Sequence, residues 1–162
     1  MIRPCPDKVC MAKQTDGQKD TEGGGKMKEM TINAVAENLE QVMLFLDEEL
    51  DRLSCGSRQR FQMEVAVEEI FANIVHYAYA PNIGPVTVRL SADEEEGCLC
   101  VTFLDEGIPF DPLKKPEPDV TLPAQERKIG GLGIFMVQKS MDRVSYEYKD
   151  GRNQLTLFKK IK

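Results

Sequence analysis

Apolar residues recur at steps of three and four from Phe61 to Pro81, where Met63, Val67, Ile70 and Ile74 form one stripe. The spacing predicts one long helix. Val65, Phe71, Ala72 and Val75 make most of the remaining surface apolar, so the helix is expected to be central rather than half-exposed. Into this cylinder the sequence sets Glu69 and Asn73, four apart and therefore stacked on one face. Burying a carboxylate and an amide is costly unless something pairs with them, so the two mark a cleft that holds a ligand or a metal.

The rest of the chain is punctuated clearly. Lys28 to Asn33 alternates as a strand, and Val35 to Leu53 is amphipathic at helical period through Leu39, Val42, Met43, Leu46 and Leu50. Cys55-Gly56 ends that helix, with Ser57 as the expected cap of the next one and Arg58 to Arg60 in its first turn. After the breaker Pro81 to Pro85, Val86, Val88 and Leu90 alternate with polar residues. The acidic turn Asp93 to Gly97 leads to a second strand, Cys98 to Leu104, giving an antiparallel hairpin. Asp105 to Gly130 has no periodicity and reads as a long functional loop, a lid candidate. Gly130-Gly131-Leu132-Gly133 opens a helix to about Met141. Arg143 to Lys149 and Arg152 to Lys159 are strands joined by the hairpin signal Asp150-Gly151. The order predicts an α+β two-layer sandwich, with helices on one face of a mostly antiparallel mixed sheet.

Residues 1–27 are polar and aperiodic, the composition of a disordered tail, and residues 28–162 form the single expected domain. Glu22-Gly23-Gly24-Gly25 is encodable by a purine-rich run that recruits a bacterial ribosome, so Met27 is an expected translation start that the gene's codons test. Across 162 residues, 41% are hydrophobic and 30% charged, the balance of a globular domain with a real core. A net charge of -6 argues against binding along nucleic-acid phosphates. No apolar run reaches the roughly 20 residues needed to span a bilayer, and no signal-peptide core is visible at the start. Cys98 and Cys100 point the same way from one strand, Cys5 and Cys10 lie in the tail, and a single histidine is present. Reduced thiols and a cytoplasmic location are the expectation.

Three constellations carry chemistry. In the first, Glu69 offers a carboxylate that accepts a proton from an attacking hydroxyl or water, and Asn73 an amide oxygen suited to Mg²⁺; a solvated helix edge is the alternative. Glu68 points about 100° away, as a surface charge would. In the second, Asp105-Glu106-Gly107 follows a strand, where the Asp can accept from the amine of a bound base and the Gly lets backbone approach a flat ring; an ordinary Asp-Gly turn is the alternative. In the third, Gly130-Gly131-Leu132-Gly133 exposes amides at a helix start, favouring a phosphate, with Arg127 and Lys128 upstream; a flexible hinge is the alternative. No Gly-Lys-Ser/Thr follows, so it is not a Walker loop. His76 reads as a packed or hydrogen-bonded histidine, and Tyr77 and Tyr79 as core or rim packing.

In order and spacing the three pieces resemble the GHKL ATPase superfamily. Glu69-x-x-x-Asn73 looks like its N-box, Asp105-x-Gly107 its first glycine box and Gly130-Gly131-Leu132-Gly133 its second. The runs N-I-V-H-Y-A-Y, D-E-G-I-P-F-D-P and G-G-L-G-I-F-M-V-Q-K-S-M-D resemble its branch of anti-sigma-factor serine/threonine kinases, over about Lys28 to Lys162. The resemblance implies a Bergerat-type sandwich that binds ATP and Mg²⁺. By that resemblance Glu69 is the general base, Asn73 holds Mg²⁺ and Asp105 binds the adenine amine. Gly107, Gly130, Gly131, Leu132 and Gly133 line base and phosphates under a lid from about Pro112 to Ile129, and Thr156 lies near adenine. The implied reaction moves the γ-phosphoryl of ATP to a serine or threonine of a small anti-sigma-factor antagonist. The implied partners are that antagonist and a sigma factor, with a homodimer common in the branch.

Two rival readings share the fold. A sensor histidine kinase catalytic domain follows a helical segment bearing the phospho-accepting histidine, and nothing before Lys28 resembles one. A nucleotide-gated, non-catalytic binding module captures a partner without transferring phosphate; the presence of both Glu69 and Asn73 speaks against it.

Overall fold

The computed structural model describes residues 26–114, 116, 121 and 131–162. The expected tail up to residue 25, most of the expected lid, and Gly130 with Arg127 and Lys128 lie outside the described residues. The elements run β1 (Met27–Asn33), α1 (Leu39–Arg52), α2 (Ser57–Asn73), β2 (Pro85–Asp93), β3 (Cys98–Asp105), α3 (Leu132–Ser140), β4 (Arg143–Lys149) and β5 (Arg152–Lys160). The strands form one sheet in the order β1-β2-β3-β5-β4, and all four ladders are antiparallel. This is the α+β sandwich the sequence predicts, with no parallel pairing among the described strands.

The two layers follow from side-chain period. Val86, Val88, Leu90, Leu99, Val101, Phe103, Leu155 and Leu157 leave alternate positions of the sheet and meet Val42, Leu46, Leu50, Met63, Val67, Ile70, Phe71, Ile134 and Val137 from the helices. Each fully buried aliphatic of this kind contributes about 1.5–3 kcal/mol. The opposite face carries a small Cys98, Cys100 and Phe158 cluster and two hydroxyl pairs, Thr31–Thr87 and Thr102–Thr156. Cys98 and Cys100 share that face, as strand alternation requires. The Asp150-Gly151 turn joins β4 to β5 with both residues at positive φ (54° and 75°), the geometry that an Asp-Gly hairpin supplies.

The helices differ from expectation at their ends. A 3₁₀ turn, Ala36–Asn38, precedes α1. Gly56, not Ser57, occupies the position before α2, and Ser57 is its first helical residue, without a side-chain capping bond. The single long helix expected to Pro81 stops at Asn73 and continues as a π-helical turn, Ile74–Ala78. Nor is α2 surrounded: α1 and α3 flank it, but Phe61 and Val65 remain 66% and 44% exposed. Lys159 Nζ donates to the Ser140 carbonyl at 2.6 Å, satisfying an orphan acceptor at the end of α3 and fixing that helix to β5.

One charge went unremarked in the sequence. Glu49, on the inner side of α1, is 1% exposed and is held by Lys28 of the edge strand at 2.7 Å and by Arg52 at 2.6 Å, while Arg52 also binds Glu94. Burial pushes the Glu49 carboxyl up, but the hydrogen bonds and charges of Arg52 and Lys28 outweigh it and hold the group below the usual glutamate range. A depressed folded-state value means stability that is present at neutral pH and lost as pH falls through that value. Glu49→Gln is therefore expected to cost about 1–3 kcal/mol at pH 7 and to flatten the acid limb of stability, read as urea midpoints from pH 7 downward. Parallel acid limbs in the two proteins would refute the assignment.

Candidate functional site

The end of α2 and the end of β3 build the site together. Ladder register puts Asp105 opposite Asn153 at the start of β5, and opposite Val86 on its other side. Asp105 is buried; its Oδ1 accepts from the Gly107 amide at 2.9 Å and from Asn153 Nδ2 at 2.9 Å. Burial holds its carboxyl above the ordinary aspartate range, against the lowering effect of those two donors. In front of it opens a cavity of about 370 Å³. Ile70, Ile74, Ile108, Phe110, Ile134 and Leu155 make its walls largely apolar, and Asn73, Asp105, Tyr146 and Asn153 supply the polar groups. An apolar slot with a few convergent polar atoms is the shape of a small-molecule site, and a buried anionic acceptor on its floor suits a flat ring carrying an amine.

The π turn joins the two halves. A widened turn of this kind is frequent at functional sites. Its Ala78 carbonyl accepts from the Ile108 amide at 2.9 Å, and Gly107 permits the approach, since a Cβ there would lie 2.3 Å from the same oxygen. Tyr79 follows directly: its hydroxyl donates to the Pro85 carbonyl at 2.5 Å and accepts from the Glu106 amide at 2.7 Å. The segment around Asp105 is thus tied to the helix carrying Asn73.

Asn73, which also lines the cavity, donates through Nδ2 to the Glu69 carbonyl at 2.8 Å and to Glu69 Oε1 at 3.0 Å. Both acceptors fix the amide orientation with Nδ2 on Glu69, which leaves Oδ1 free of that contact. A lone amide oxygen fits Mg²⁺, which takes one or two protein ligands and completes its shell with phosphates and water. No cluster of three His, Cys, Asp or Glu side chains suited to a metal occurs among the described residues. Glu69 is half-buried, does not line the cavity itself, and meets α3: a Cβ on Gly133 would lie 1.9 Å from Glu69 Oε1. Gly131 precedes α3 with φ of 95°, a left-handed conformation in which glycine is unstrained. The Leu132 side chain is exposed and lines no wall. Glu68 is exposed as expected, and exposed His76 turns Nδ1 to the Ala72 carbonyl at 2.7 Å.

Thr156 does not belong to this site. It lies between Leu155 and Leu157, which face the helices, so strand alternation sends its side chain to the opposite face, where its hydroxyl bonds Thr102 at 3.0 Å. The β5 residue that does reach Asp105 is Asn153, which the sequence reading passed over. Its signal was present, because Asn153, Leu155 and Leu157 share one phase of the strand.

The profile of the histidine kinase-like ATPase domain matches residues 32–159. The chain belongs to this family. The serine/threonine-protein kinase BtrW of Bordetella bronchiseptica is 24% identical over 132 residues, covering 82% of this chain and 92% of that protein. The serine-protein kinase RsbW of Bacillus cereus is 27% identical over 131 residues, covering 78% and 81%. Both relatives support the resemblance to the GHKL anti-sigma-factor kinase branch. A crystal structure of the RsbU and RsbW domains of Rv1364c from Mycobacterium tuberculosis has the same fold, with a TM-score of 0.60 at 16% identity over 84% of this chain. The chain spans 32% of that longer protein. No helix among the described residues of this family member is long and apolar enough to cross a membrane.

Proposed function

We propose that this chain is an ATP-dependent serine/threonine protein kinase and anti-sigma factor, which phosphorylates a small antagonist protein in a partner-switching system. The observation that carries the proposal is one cavity lined by both Asp105 and Asn73, the latter bonded to Glu69. Asp105 accepts from the amine of adenine, and Gly107 brings backbone against the ring. Gly131 and Gly133 admit the phosphates at the start of α3, beside the positive end of its dipole, with Gly130 adjoining them in sequence. Asn73 would hold Mg²⁺ through its amide oxygen, and the ion would supply charge neutralisation during transfer. Glu69 accepts the proton of the substrate serine or threonine hydroxyl as that oxygen bonds the γ-phosphorus and the bridge to the β-phosphate breaks, releasing ADP. Positioning and electrostatics supply most of the acceleration.

The direct test is transfer of labelled γ-phosphate to a serine or threonine of a small antagonist-like protein encoded beside this one. Labelled antagonist supports the reading; tight ATP binding with no labelled product supports a non-catalytic switch instead. A second expectation concerns the base. Asp105→Asn replaces an anionic acceptor and is expected to weaken ATP by about 10–100-fold, the worth of a hydrogen bond to a charged group. Because burial holds the Asp105 carboxyl high, the wild-type advantage is lost on acidification at a higher pH than an ordinary aspartate would give. Calorimetric titration checks both, and an unchanged affinity in the variant would remove the adenine assignment.

A further inference from the structure

Asn153 makes more polar contacts than any group the proposed chemistry uses. Its Nδ2 donates to Asp105 Oδ1 at 2.9 Å, to the Ile108 carbonyl at 3.0 Å and to the Gly107 carbonyl at 3.4 Å. Its Oδ1 accepts from the Tyr146 hydroxyl at 2.6 Å and from the Phe110 amide at 3.2 Å. Both hydrogens and both lone pairs of the amide are therefore engaged, so it cannot flip without placing donors against donors. Asn153 is buried, yet it sits on the apolar phase of β5 beside Leu155, where an amide that only packs would be replaceable by a hydrocarbon.

What the amide accomplishes is visible at Asp105. Oδ1 of that carboxylate is taken by Asn153 and by the Gly107 amide, and among the described residues no donor reaches Oδ2. No buried side-chain oxygen lacks a partner among the described residues, and Asp105 lines the cavity, so Oδ2 is the oxygen offered to an occupant. We propose that Asn153 is a positioning residue that sets nucleobase specificity: by occupying Asp105 Oδ1 and tying the 107–110 loop and Tyr146 around it, it presents Oδ2 to the exocyclic amine of the base. The inference rests on the cavity taking a nucleotide, and it adds that selection against bases lacking that amine depends on a residue that does not itself touch the ring.

A base without the amine leaves Oδ2 unpaired, and a site built to accept a hydrogen bond rejects a ligand that cannot donate one. The probes are ATP and purine riboside triphosphate, which differ only in the 6-amino group, titrated against the wild type, Asn153→Ala and Tyr146→Phe. Wild type is expected to prefer ATP by about 10–100-fold. Asn153→Ala is expected to lose most of that preference, weakening ATP by more than it weakens the amine-free analogue. Tyr146→Phe keeps the amide but removes one of its holds, and is expected to lose part of the preference. If Asn153→Ala weakens both nucleotides equally, with their ratio unchanged, the residue merely supports the pocket and the inference falls. If that variant fails to fold, an unchanged ratio in Tyr146→Phe has the same consequence. Wild type that binds both nucleotides with no preference overturns the inference together with the adenine assignment of Asp105; wild type that binds neither overturns the nucleotide reading itself.

Discussion

Glu69→Gln is expected to lower phosphoryl transfer to the antagonist by about 10²–10⁴-fold while ATP binds with nearly wild-type affinity. The substitution is almost isosteric. A glutamine Oε1 still accepts from Asn73 Nδ2, as Glu69 Oε1 does at 3.0 Å, so the Asn73 amide stays where it is. Glu69 does not line the base-binding end of the cavity, which leaves Asp105 and the apolar walls intact. What disappears is the capacity to take a proton from the attacking hydroxyl. Single-turnover labelling paired with calorimetric titration of ATP separates the two effects. Undiminished transfer would place the base elsewhere, and a parallel loss of ATP binding would make Glu69 a structural residue.

Gly133→Ala is expected to damage the same step by a different route. The added methyl would lie 1.9 Å from Glu69 Oε1 and 2.1 Å from its Cδ, well inside contact distance. The carboxylate is the end of a flexible side chain, so relief is available at modest cost, about 1–3 kcal/mol of folding stability for such overpacking. Relief, however, means swinging Glu69 off Asn73 or lifting the start of α3, and either one displaces the proposed base from the proposed phosphate site. Transfer is expected to fall by about 10²-fold or more. Gly131→Ala is the matched contrast: among the described residues no atom beyond its chain neighbours lies within 4 Å of its added methyl, so the left-handed backbone is the penalty there, about 1–2 kcal/mol. Melting temperatures with labelled transfer distinguish the pair. A Gly133→Ala protein that keeps full activity would show that Glu69 need not sit where this structure holds it.

Much of this is legible in the sequence. Period-two alternation located the strands, because one face of the sheet packs on helices and the other does not. Asp150-Gly151 marked the β4–β5 turn because positive φ at two successive residues restricts the choice of side chain. The Glu69–Asn73 spacing placed both on one helical line, and the structure joins them by a hydrogen bond. Other features needed tertiary contacts. A π turn after Asn73 leaves no mark in an apolar run that still repeats every three to four residues. Glu49 stands in the sequence as one more acid of α1, since its burial depends on Lys28 from β1 and on Arg52, which is itself held by Glu94 of the turn after β2. The error at Thr156 was avoidable, because residues between Leu155 and Leu157 must face away from them. The same reasoning, applied two residues earlier, would have found Asn153.

A crystal structure of the chain with a non-hydrolysable ATP analogue and Mg²⁺ tests the central claim most directly. The expected result puts the adenine amine on Asp105 Oδ2, Mg²⁺ on Asn73 Oδ1, and the γ-phosphate beside Glu69 at the start of α3. A nucleotide bound with its base away from Asp105, or with its phosphates away from Asn73, would contradict it.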